Sequence, residues 1–183
     1  SGSGMTPEIM AIVMLLAGPN NDPIKTFEDK IVWVKGMKGS ERRLAFIRGD
    51  LNATRENPAA YKKHVIPVIE KGDAYTWFHH GLLDVNTGQH GEDPNFTEPT
   101  FEALFESTYG VAPSGDFYDA YKLVKSWRDA LQKAFWVNKD NPNKDKLVAA
   151  LNKMINDPES VAAIEKKVGK YEWRTGNDGD AAV

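Results

Sequence analysis

The chain of 183 residues contains no cysteine, which removes disulfides, thiolate zinc sites and cysteine nucleophiles together. It has no basic excess either: 23 lysines and arginines face 26 acidic residues, a net charge of -3. A nucleic-acid or anionic-membrane partner would leave a basic signature, so no nucleic-acid partner is expected. Long apolar runs are missing as well. Ile9 to Ala17 is nine residues, against roughly 20 needed to span a bilayer, and no basic segment precedes it as in a signal peptide. A GxSxG nucleophile elbow and an HExxH zinc motif do not occur, and no acidic pair marks acid–base work. An enzyme, a metal centre and a cofactor are therefore not expected.

What is present is the composition of a folded globular protein, 41% hydrophobic and 27% charged, enough for one substantial domain or two small lobes. Ser1 to Gly4 reads as a tag remnant and Asn177 to Val183, roughly, as a frayed tail. Thr6, Pro7 and Glu8 form a helix-start signature, and Gly18-Pro19 a stop, around a buried helix. Short strands are expected at 30–36 (KIVWVKG), 51–56 (LNATRE), 74–81 (AYTWFHHG) and 134–139 (AFWVNK). Helices are expected at 40–48, from Pro58 to about Lys71 with a kink or break at Pro67, and at 100–107. Further helices are expected at 116–131, 143–156 and 158–168. In the 116–131 helix, Phe117, Tyr121, Val124, Trp127 and Leu131 make an inward stripe. Leu82 to Thr100 is a long loop, of a length that is commonly functional or packed by its own side chains. Alternating strands and helices predict an α/β fold with a mainly parallel sheet. They divide the chain into a tag remnant at 1–4, an α/β domain at 5–133, a returning strand and helices at 134–176 and a tail at 177–183.

Ligands of such sheets sit beyond the carboxyl ends of the strands, which selects three places. Gly36, Met37, Lys38, Gly39 and Ser40 join a strand to a helix. Glycines permit close backbone approach there, and free N–H groups at the helix start favour an anion. The same residues also make an ordinary turn and cap, and that reading stays open. Arg55, Glu56 and Asn57 end the second strand. They either grip the two ends of a polar ligand, the arginine as a fork, or form a surface ion pair and an Asn cap before Pro58. His79 and His80 alternate faces, so one of them, taken here as His80, reaches the cleft.

The order of these motifs, over most of residues 24–176, resembles the solute-binding proteins of tripartite tricarboxylate transporters, the Bug family. The second lobe of that family has a helix ending in a phrase similar to Ala45-Phe46-Ile47-Arg48-Gly49-Asp50-Leu51-Asn52, then a turn similar to Lys71-Gly72. Later phrases are similar to Asp93-Pro94 through Pro99-Thr100-Phe101-Glu102, to Asn141-Pro142 and to Asp157-Pro158-Glu159. The resemblance implies a type II periplasmic-binding-protein-like lobe that binds a small carboxylate through loop amides and ordered water. It also implies membrane transporter subunits as partners and a periplasmic location, with the cytoplasm as the alternative. The family's glycine turn falls on Gly36 to Ser40 and its acidic position on Glu56. Asn52 stands where many members have Asp, and Arg42-Arg43 make the helix after the glycine turn unusually basic.

The resemblance further implies a first lobe ahead of residue 5, so the returning elements at 134–176 would need other partners. A repacked single domain or a homodimer is the expected compensation, the homodimer preferred. The rival function is a self-associating structural or interaction module that binds no small molecule.

Overall fold

A computed structural model describes residues 5–84, 89–131, 137–169 and 173 of the chain. Helix accounts for 57% of the structure and strand for 3%, so the expected α/β lobe with a parallel sheet is not what forms. The elements run α1 (Pro7–Ala17), α2 (Pro23–Lys30), α3 (Gly39–Ile47), α4 (Pro58–Ala60), a π-helical turn (Tyr61–Val65) and α5 (Ile66–Glu70). They continue through β1 (Leu82–Asp84), β2 (Gln89–Gly91), α6 (Phe101–Tyr109), α7 (Asp116–Leu131), α8 (Lys144–Ile155) and α9 (Pro158–Val168). None of the helices in the described residues is long and apolar enough to cross a membrane.

The three strands expected at 30–36, 51–56 and 74–81 correspond to unladdered chain. Lys30 is the last residue of α2, and 31–35 run on without a strand partner. In the third segment, His79 makes an isolated parallel bridge to Thr100, through His79 N–H to Pro99 O (3.0 Å) and Phe101 N–H to His79 O (2.9 Å). The only ladder among the described residues is antiparallel, β1 with β2. Of the fourth expected strand, 134–136 lie outside the described residues, and 137–139 are not strand. β-propensity expresses fit to a pleated, half-buried surface rather than an intrinsic backbone state. Such a surface is missing here: Val32 is 93% exposed and Val34 45%.

The helices follow local chemistry more closely. α1 starts with Pro7 at its first position and ends at Gly18, whose φ of 64° suits glycine. A Cβ at Gly18 would also lie 3.0 Å from the Tyr109 ring. α2 is capped by Asp22, whose side chain accepts from Ile24 N (2.8 Å) and Lys25 N (3.3 Å). The helix from Pro58 does break its regular pattern ahead of Pro67. Proline lacks an N–H and its ring clashes with the carbonyl four residues back. The π-helical turn widens the backbone there, with Ile66 N–H donating to Tyr61 O.

The core is built where α1, α6 and α7 meet. Met10, Ala11, Met14 and Leu15 of α1 pack with Phe101 and Phe105 of α6 and Tyr121 of α7. Fully burying each of the large apolar side chains contributes roughly 1.5–3 kcal/mol. The rings of Phe101 and Tyr121 meet edge-on at 5.1 Å, and those of Tyr118 and Tyr121 stack at 5.8 Å. Tyr109 Oη donates to Leu15 O and ties α6 to the end of α1. The inward stripe of α7 holds at Phe117 and Tyr121 and fails at Trp127, the Leu131 side chain lying outside the described residues. Tyr121 is buried, but Trp127 is 66% exposed and Lys125 is fully buried in its place.

The 82–100 segment, expected as a loop, contains β1 and β2 and is packed in part by its own side chains. Asp93 is buried and accepts from both the backbone and side-chain nitrogens of Asn95 at 2.8 Å. Phe96 stacks on His79 and tilts against Tyr61. Gly81 approaches Gly91 so closely that a Cβ there would meet Gly91 O at 2.2 Å. α8 and α9 pack on each other, and α9 also touches α4.

Candidate functional site

Each residue expected at the ligand site has a definite place. Gly36 (φ 88°) and Gly39 have open space where a Cβ would be, and Met37, Lys38 and Ser40 are exposed. Lys38 is the N-cap of α3 rather than Ser40, and its backbone N–H donates to the Glu41 carboxylate at 2.9 Å. This is one half of a capping box; a lysine side chain has no acceptor to supply the other half. The positive end of α3 is thus already faced by a carboxylate of the protein itself.

Arg55 Nη1 donates to Glu8 Oε1 at 3.2 Å. Glu56 accepts from Arg43 Nη1 at 2.8 Å, and the Glu56 side chain is only 7% exposed. Asn57 caps α4 by accepting from Ala60 N at 3.1 Å. His80 is remote in role: its Nδ1 lies 2.9 Å from Tyr121 Oη. Burial pushes its pKa down to about 4, although the Glu8 charge works the other way, so the ring is neutral near pH 7. His79 turns to the other side, its Nδ1 accepting from Gly81 N at 2.9 Å.

The structure does bring the start of α3 and the 54–56 segment together, but through arginines of α3. Arg42 Nε donates to Thr54 Oγ1 (3.1 Å) and its Nη2 to Arg55 O (2.9 Å), while Arg43 grips Glu56. Beside this seam lies an open groove of about 310 Å³ lined by Ser40, Arg43, Leu44, Ile47 and His64. An adjoining apolar crevice of about 20 Å³ continues past Phe46, Val65 and Val68. The larger groove has the size of a small-molecule site; the crevice has room for little more than a water. Ser40, Arg43 and His64 supply donors, and no carboxylate lines the groove. Leu44 and Ile47 lie open beside them, 57% and 56% exposed.

Arg43, Leu44, Ile47 and His64 are additions to the expected site. Ser40, Arg43, Leu44 and Ile47 fall at i, i+3, i+4 and i+7, one face of a helix, a signal present in the sequence. His64 carries no such signal, because its position depends on the π-helical turn.

A second polar cluster lies inside the protein. Glu8 of α1 pairs with Arg128 of α7 and with Arg55. Burial raises the Glu8 pKa, but the two guanidinium groups outweigh it and hold the carboxyl below its ordinary value. Asp129 lies 3.3 Å from His90 Nε2 and 3.4 Å from Lys125 Nζ. The lysine contact is close enough to attract but too poorly directed to be a hydrogen bond. Burial brings the Lys125 pKa down to about 8 against the attraction of Asp129. Neither the groove nor the crevice reaches this cluster, and no group of three or more potential metal-ligating side chains occurs among the described residues.

No family model, curated protein or solved structure matches the chain.

Proposed function

We propose that the chain is a non-catalytic binding protein for a small carboxylate, held in the groove beside α3. The observation that carries this reading is the donor set: the Ser40 hydroxyl, the Arg43 guanidinium and the His64 imidazole line one groove that no acidic side chain lines. Arg43 is already fixed through one nitrogen by the nearly buried Glu56, so its remaining donors are pre-oriented, and little entropy is lost on binding. Glu56 is then a positioning residue. The sequence resemblance to carboxylate-uptake proteins suggests the same class of ligand, although the α/β lobe it implies does not form. It would add a periplasmic location and membrane transporter subunits as partners.

Isothermal calorimetry with a panel of carboxylates tests the proposal. At least one acid binds the intact chain, and the paired variant Arg43→Gln/Glu56→Gln weakens it by about tenfold or more, the worth of a hydrogen bond to a charged group. Changing both residues avoids leaving Glu56 buried and unpaired. Silence from every acid, or full affinity in the paired variant, removes the basis of the reading.

A second reading, a self-associating module, is favoured by exposed apolar side chains away from the groove. Val32, Tyr75, Leu123 and Trp127 are 93%, 81%, 72% and 66% exposed. It predicts a homodimer by light scattering whose mass is unchanged by any carboxylate; a monomer at micromolar concentration rejects it.

A further inference from the structure

Resting on the carboxylate reading, we infer that the ligand is a monocarboxylate with an apolar body, such as an aryl- or branched-alkyl-acetic acid, rather than a di- or tricarboxylate. The groove is polar at one side only. Ser40 and Arg43 occupy the first turns of α3, and His64 faces them from the π-helical turn. One turn further along the helix the lining is Leu44 and Ile47, and the adjoining crevice runs past Phe46, Val65 and Val68, with Arg43, Thr54 and His64 also bordering it. A ligand that puts its carboxylate on Arg43 and extends along α3 lays its other end against Leu44 and Ile47.

Charge balance argues the same way. The single guanidinium of the groove is shared with Glu56 at 2.8 Å, so one external carboxylate saturates it. Beyond it only the Ser40 hydroxyl and the His64 imidazole supply donors, so further carboxylates of citrate fall beside Leu44 and Ile47. In so open a groove those carboxylates keep their water and gain nothing from the two side chains, whereas a phenyl or branched alkyl group there covers apolar surface that is more than half exposed in the free protein.

Calorimetry on the full chain with phenylacetate, phenylacetamide, succinate and citrate separates the possibilities, with Leu44→Asn as the variant. Leu44 is exposed, so this change leaves the fold intact, and Ile47→Asn serves as an independent check of the same face. Phenylacetate is expected to bind at least tenfold more tightly than the other three. Either variant is expected to cost it about tenfold, the worth of covering one leucine or isoleucine. Succinate or citrate binding as tightly as phenylacetate overturns the inference and leaves the carboxylate reading standing. Phenylacetamide binding as tightly as phenylacetate overturns both, as does the failure of all three acids to bind. Undiminished phenylacetate binding in both variants overturns the placement of the apolar body.

Discussion

At the scale of single residues, the molecule is governed by what faces each buried charge. Glu8 holds Arg128 and Arg55 together, so Glu8→Gln leaves two guanidinium groups without their carboxylate, one of them partly buried. A loss of about 3 kcal/mol in urea unfolding is expected, at the low end for a broken buried pair. Glu8 has a folded-state pKa below its unfolded value, so its contribution is present above the unfolded pKa and disappears as pH falls through the folded one. His80, with its pKa down to about 4 from 6.5, acts in the same direction: between pH 6.5 and 4 the unfolded chain takes up the proton first, and stability falls as pH falls. Lys125 sets the alkaline side. Its pKa is near 8 when folded against 10.5 unfolded, so the unfolded chain binds more protons in that window and stability rises with pH. Between pH 8 and 9.5 a gain of about 1–2 kcal/mol is expected, and Lys125→Met should flatten it. Above pH 10 the slope reverses, because Tyr118 is pushed up to about 12 and Tyr121 higher still by burial, while their unfolded counterparts ionise. Denaturation midpoints across pH 4 to 11 check all of these signs.

At the scale of elements, caps and breakers did more than hydrophobic pattern. α2 has eight residues, below the length at which a helix holds itself in water, so it depends on Asp22. Asp22→Ala should cost about 1 kcal/mol and lower hydrogen-exchange protection from Lys25 to Lys30 before it affects α1. This helix was legible in Asn21-Asp22-Pro23, an N-cap followed by proline, yet the apolar run beginning at Ile31 reads as a strand and masks it. The helices begun by Thr6-Pro7, Asn57-Pro58, Thr100 and Asp157-Pro158 were legible for the reason that α2 should have been: their start signals are local. The strands were not, because a strand is completed by a partner, and partners are a property of the whole chain. The α3 side of the site was readable in the same sense. Ser40, Arg43, Leu44 and Ile47 share a helical face by spacing alone, whereas the coupling of Arg43 to Glu56 and the approach of His64 require the tertiary fold. The α7 stripe failed at Trp127 because its pattern counted apolar residues only. Lys125, Arg128 and Asp129 took inner positions because polar partners wait there: Glu8 for Arg128, His90 for Asp129, and Asp129 itself for Lys125.

At the scale of the whole molecule, a helical core of α1, α6 and α7 carries the packing, while the groove lies outside it, between α3 and the π-helical turn. Core and groove are joined through Arg55, which reaches Glu8, and through Arg42, which holds Arg55 O. Binding should therefore stabilise the protein measurably, by RT ln(1 + [L]/Kd), about 2.7 kcal/mol at a hundredfold excess over Kd. A melting temperature that does not move with a saturating acid would show that the groove is uncoupled from folding or empty. The central claim is tested most directly by two-dimensional ¹H–¹⁵N spectra of the intact chain during titration with phenylacetate. The account predicts saturable shifts centred on the backbone amides from Lys38 to Arg48 and from Tyr61 to Val68, with the amides around Tyr121 unchanged. Shifts centred on the α1–α7 core, or none at all, would contradict it.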